Sequence, residues 1–196
     1  MKKVVLAVAL LCAAAAAHAQ DTRFGIKISG GIAKFRGDGA PNQTNIASAG
    51  GGVMANVKLS EVFSVQPELL YMVKGSRDER GTTPVRYHNQ YIELPVLLRA
   101  SFGGVFLEAG PQFGYLLTPQ TKTEGSLEMT DYSQAAFNEV EFGVAGGLGY
   151  QLASGLSLTG RYATGLNPVF TNVGTTKVKA YNSVLMLQLG FLFPEK

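Results

Sequence analysis

From residue 22 onward, apolar residues alternate with small or polar ones in eight runs, and the connections between runs are alternately long and short. The runs are 22–34, 49–59, 63–75, 87–100, 104–117, 139–152, 155–166 and 180–193. A period of two sends successive side chains to opposite faces of a strand. Each run is about 10 to 14 residues, enough to cross a bilayer at a tilt. The connections "SEV", "SFG" and "ASG" are tight, whereas the segments near 35–48, 76–86, 118–138 and 167–179 are long and polar. Eight strands with tight turns at one end and large loops at the other predict an all-β fold: an eight-stranded antiparallel up-and-down transmembrane β-barrel. No second domain is visible in the pattern.

Alternation does not say which face is inside. A soluble, lipocalin-like barrel turns its apolar face inward around a ligand. Here the polar face is mostly Gly, Ala, Ser, Gln and Asn with about one charge per strand, too few for a water-washed exterior. Small residues suit the crowded interior of an eight-stranded barrel. On the apolar face, Phe24, Phe63, Tyr150, Phe191 and Phe193 gather toward the turn end, and Tyr71, Tyr115, Tyr162 and Tyr181 toward the loop end. Two such bands match interfacial girdles. The apolar face is therefore expected to meet lipid.

That orientation makes the polar face a lumen. Lys27, Lys58 and Arg161 lie on it, together with Glu68, Glu93, Glu108 and Glu141. Buried charges persist only when paired or hydrated. These seven are expected to form a structural ion-pair network that fills the interior; an ion or proton path is the rival reading. The run "YIELPVLLRA" (91–100) fits a barrel stave, with Ile92, Leu94, Val96 and Leu98 toward lipid and Tyr91, Glu93, Pro95, Leu97 and Arg99 inward. Glu93 then needs Lys27, Lys58 or Arg161 as partner. Pro67, Pro95 and Pro111 fall within strands, and a closed barrel has no edge to receive them. Bulges or missing ladder bonds are expected there.

The first 19 residues read as a secretory signal peptide: "MKK" is a charged start, "VVLAVALLCAAAA" an apolar stretch, and "AHA" a small-residue cleavage site. Residues 20–196 are then the barrel domain. Cys12 is the one cysteine, so the mature chain has no disulfide or thiolate chemistry. Without Lys2 and Lys3, the 17 basic residues become 15 against 14 acidic, a formal charge near +1. A nucleic-acid partner finds no support in that balance.

The order and spacing of "GIKISGGI", "FSVQPELLYMVKG", "YIELPVLLRA", "GVFLEAGPQFGYLL" and "MLQLGFLF" resemble the small outer membrane beta-barrel domain family of Bacteroidetes, the PorT-like group. The resemblance covers essentially the whole mature chain. It implies an eight-stranded barrel in the bacterial outer membrane and no single activity.

Catalytic and metal-binding signatures are sparse. His88, the one histidine after the leader, lies by parity on the outer face. No His/Cys cluster, EF-hand spacing or phosphate loop is present, and no cofactor is expected. Arg36-Gly37-Asp38 has the form of an integrin-recognition tripeptide, but Gly-Asp-Gly is ordinary turn chemistry. The expected function is structural or binding, through the lumen and the four long loops. Narrow porin-like transport and a lipid-modifying enzyme are the alternatives. Expected partners are outer membrane lipid and an extracellular ligand or protein met by the loops.

Overall fold

A computed structural model describes residues 22–38, 40, 42–79, 84–123, 130–131, 137–171 and 179–194 of the chain. The proposed leader lies outside the described residues. Eight long strands carry the fold: β1 (Thr22–Arg36), β3 (Ile46–Lys58), β4 (Phe63–Asp78), β5 (Val85–Phe102), β6 (Val105–Thr123), β8 (Val140–Gln151), β9 (Leu156–Gly165) and β10 (Tyr181–Leu192). Two short ones, β2 (Gln43–Thr44) and β7 (Thr130–Asp131), pair with β4 and β6 at the loop end.

Every long strand pairs antiparallel with its neighbours in sequence, and β1 pairs with β10 through twelve positions from Gly25↔Leu192 to Arg36↔Tyr181. The eight long strands therefore close into a barrel. At the turn end, Gly103 and Gly104 both have positive φ, which lets a two-residue hairpin join β5 to β6. Residues 59–62 and 152–155 make the other two turns.

The faces follow the alternation. Ile26, Ile28, Leu69, Leu107, Phe142, Leu148, Leu158, Leu187 and Leu189 are exposed on the outside, while Lys27, Glu68, Glu108, Glu141 and Arg161 are buried inside. A continuous apolar exterior of this extent is a lipid-facing surface. Phe24, Phe63, Tyr150 and Phe193 stand exposed toward the turn end, and Tyr71, Tyr115 and Tyr162 toward the loop end, so both girdles are present.

The polar segments are not all loop. Residues 76–78, 85–86 and 118–123, read from the sequence as connections, continue β4, β5 and β6. The ladder outlasts the apolar belt, because hydrogen bonding between strands does not require a lipid-facing side chain. One wall of the barrel is consequently tall: β6 has 19 residues where β9 has 10. A bulge at Gln90/Tyr91 accompanies the extension. The β5–β6 register steps over Leu117, from Gln90↔Thr118 to Tyr91↔Leu116, and the inward face of β6 changes from Leu116 to Pro119 across it.

The prolines interrupt the ladder where expected. The β3–β4 register passes from Met54↔Glu68 to Val57↔Val65, over Pro67. That of β4–β5 passes from Pro67↔Val96 to Leu70↔Glu93, over Pro95. That of β5–β6 passes from Pro95↔Gln112 to Leu98↔Ala109, over Pro111. Each proline lacks the N–H that its neighbour's carbonyl would accept. The three gaps are adjacent and form one line across the tall wall.

Candidate functional site

Among the described residues, charge is concentrated away from water in the lumen. Among the described residues its buried ionic side chains are four cations, Lys27, Lys74, Arg99 and Arg161, and four carboxylates, Glu68, Glu93, Glu108 and Glu141. They sort into two groups at different heights. Along β4, Leu70 and Met72 stand between Glu68 and Lys74; along β10, Val184 and Met186 stand between Asn182 and Gln188. These four apolar side chains belong to one buried cluster with Leu97, Ala145 and Ala163.

In the turn-side group Arg161 is the hub. Its Nη1 donates to Glu68 Oε2 at 2.7 Å and its Nη2 to Glu68 Oε1 at 2.9 Å, a two-pronged contact. Its Nε donates to Glu108 Oε1 at 2.7 Å. Lys27 Nζ lies 2.5 Å from Glu68 Oε1, and Gln66 adds an amide donor to the same oxygen at 2.7 Å. Two cations thus meet two carboxylates. Glycines make the room: a Cβ on Gly147 would sit 3.1 Å from Glu108 Oε1, and one on Gly149 would fall 2.3 Å from the Phe106 ring.

In the loop-side group Lys74 serves two carboxylates, Glu93 and Glu141, each at 2.6 Å. Its ammonium also lies 4.3 Å from the centre of the Tyr91 ring, within cation–π range. Asn182 donates to Glu141 and, at 3.3 Å, to the Tyr91 hydroxyl.

Above this group an aromatic cap closes the loop end. Phe35, Tyr87, Phe137 and Phe170 contact one another with ring centres 5.1 to 6.5 Å apart, packed with Leu116, Val169 and Ala180. The Asn138 side chain fastens the segment by donating to the carbonyls of Pro168 and Phe170.

The structure brings six of the seven sequence-derived charges into these groups and places the seventh elsewhere. Lys58 has inward parity but is the last residue of β3, so its side chain emerges at the turn end, half-exposed, 3.7 Å from Glu61. It is not part of the interior network. The partner of Glu93 is Lys74, not Lys27, Lys58 or Arg161. Lys74 shares parity with Glu68 on the same strand, and that spacing was the signal that could have found it. Arg99 is inside, as its parity requires. The aromatic cap had only a faint signal, the three phenylalanines Phe35, Phe137 and Phe170 within otherwise polar connections.

His88 sits on β5 opposite Gly75 and Gln120, part-buried near the loop end. Among the described residues no group of three or more His, Cys, Asp and Glu side chains is placed to hold a metal ion. Arg36 of the Arg-Gly-Asp tripeptide is held against the wall: it donates to Thr164 Oγ1 at 2.8 Å and to the Gly165 carbonyl at 3.2 Å, and lies over the Tyr181 ring. Gly37 has φ of +108°, and a Cβ there would approach the Lys179 carbonyl to 2.3 Å. The glycine is explained by the chain's close path, without a receptor.

Comparison with known proteins agrees with this architecture. NspA, Neisserial surface protein A, superposes with a TM-score of 0.58 at 10% identity, over 87% of this chain and 97% of that one, which is a likeness of fold. Ail, the attachment invasion locus protein of Yersinia pestis, aligns at TM-score 0.47 and 11% identity over 88% and 99% of the two chains. The N-terminal barrel domain of Pseudomonas aeruginosa OprF aligns at 0.44 and 12%, over 86% and 97%. No curated protein matches by sequence. The sequence model described as the outer membrane protein beta-barrel domain matches residues 18–171, and the chain belongs to that family.

Proposed function

We propose that the protein is a plugged outer membrane barrel whose role is structural or binding, exerted through its external loops and its filled lumen, and not a conducting pore. The observation that carries this reading is the interior itself. Two ion-pair groups, an apolar layer and an aromatic cap succeed one another along the barrel axis, so the described side chains block the lumen between its two mouths. The buried charges serve the barrel by fixing strand register and excluding solvent.

In this reading residues 1–19 direct export and are removed. The tight turns face the periplasm and the loops near 35–48, 76–86, 118–138 and 167–179 face outward, where they meet a ligand or protein partner. The order of motifs supports placement beside the PorT-like barrels of Bacteroidetes. A narrow channel is disfavoured by the filled lumen. A lipid-modifying enzyme would have to rely on His88, and lipid A profiles are expected to be unaltered by His88→Ala.

Planar-bilayer recording of the purified protein tests the proposal. A silent membrane is expected after insertion has been verified by heat-modifiable migration. Discrete, reproducible conductance steps would overturn the plugged lumen. Recovery of the protein in the soluble periplasmic fraction would sink the membrane reading altogether.

A further inference from the structure

We propose that the turn end of the barrel holds a binding site for a small multivalent oxyanion, a solute bearing phosphate or carboxylate groups, with Arg99 as its anchoring cation. The site is a cavity of about 480 Å3 ringed by all three tight turns, with Arg99, Arg23, Lys58, Asn56, Ser64 and Ser101 on its walls. That volume lies within the range of pockets that hold small organic ligands.

Arg99 is what separates this cavity from an ordinary barrel mouth. Lys27, Lys74 and Arg161 each have at least one carboxylate at 2.7 Å or closer. Arg99 is only 4% exposed, and none of its contacts is with a carboxylate. Its Nη1 donates to Gln66 Oε1 at 3.2 Å, its Nη2 donates to Gln151 Oε1, and its guanidinium carbon lies 3.4 Å from the centre of the Phe106 ring. Its Nε is buried and has no hydrogen-bond partner. Glu108, its register neighbour on β6, is turned to Arg161 instead. Neutral amide oxygens and a ring face compensate a desolvated guanidinium only in part.

The rim extends the same sign of charge. Arg23 lies on the wall while donating to the Leu192 and Phe193 carbonyls that end β10. Lys58 is half-exposed, and its one carboxylate neighbour, Glu61, is almost fully in solvent. Three cations therefore face one carboxylate around the cavity, with serine hydroxyls and the Asn56 amide available as neutral donors. A planar guanidinium beside such donors suits oxyanions. The cavity opens at the end of the barrel among the three turns, with charged and hydroxyl side chains on its walls, so the ligand we assign to it is a water-borne solute and not a headgroup in the bilayer.

Isothermal titration calorimetry of the full barrel in zwitterionic detergent at low salt tests the site, with tripolyphosphate and citrate as separate arms. Saturable binding of at least one anion is expected, and which arm binds assigns phosphate or carboxylate. Arg99→Gln should weaken it by about tenfold or more, as loss of a charge-assisted contact does. Lys58→Gln, at a surface position that does not bear on folding, should weaken it about two- to threefold, and His88→Ala at the far rim should leave it unchanged. Heat-modifiable migration checks that each variant is folded, and if Arg99→Gln is not, Lys58→Gln carries the test. No saturable binding in either arm, or equal affinity in the wild type and the folded charge variants, would overturn the site.

Discussion

At the turn side of the lumen Arg161 and Lys27 face Glu68 and Glu108, whereas at the loop side Lys74 alone faces Glu93 and Glu141. The first group is balanced by itself. The second has a formal excess of one negative charge, and the cation that offsets it in the whole interior is Arg99, at the opposite end. Neutrality of the lumen is thus global and not local. The turn side is a closed knot, in which every charge answers another within 3 Å. The loop side is a shared cation under an aromatic roof. Removing one member should therefore cost different amounts at the two levels.

The largest effect should come from Arg161→Met, which leaves Glu68 and Glu108 facing each other with Lys27, on Glu68, as the cation still bonded to the pair. Loss of one partner from a buried ionic group costs about 3–5 kcal/mol, to be read as a lowered urea midpoint for loss of the heat-modifiable form. A shift no larger than that of a surface variant would break the claim that this group is a knot. Phe137→Ala, in the cap, should cost about 3 kcal/mol as an emptied aromatic site, without producing conductance, because both ionic groups remain below it. Current through that variant would make the cap, and not the charges, the plug. Glu93→Gln should cost about 1 kcal/mol or less, the scale of an ordinary hydrogen bond, since Lys74 and Glu141 are left as a one-to-one pair. A cost equal to that of Glu68→Gln would erase the difference between the levels. Lys58→Gln should be smallest, within about 0.5 kcal/mol, as for an exposed pair; thermal melts of the two proteins should nearly superimpose.

Much of this was legible in the sequence, for a physical reason. The lipid belt, the pleat and the narrow lumen impose the same period of two, so parity alone assigned the inward face of each strand and placed Glu68, Glu93, Glu108, Glu141, Lys27 and Arg161 inside. Parity does not report depth. Lys58 has the right parity at the wrong height, and Lys74, next to the polar end of the 63–75 run, lies well within β4, which continues to Asp78. Polarity marks where lipid ends, not where the ladder ends, which is why β6 runs on to Thr123. The cap was hardest to see. Phe35, Tyr87, Phe137 and Phe170 come from four separate parts of the chain, and no local period connects them.

The twelve-position pairing of β1 with β10 has a consequence for how the chain is completed. It joins the first strand to the last, so its loop-closure cost falls late, once nearly the whole sequence is present. Until then β1 and β10 are open edges carrying unpaired donors and acceptors, in a chain whose outer face is already apolar. A chain cut before Tyr181 would not make a smaller barrel. It would offer β1 and β9 as templates to any other strand, so truncation should register first as aggregation and only secondarily as lost function.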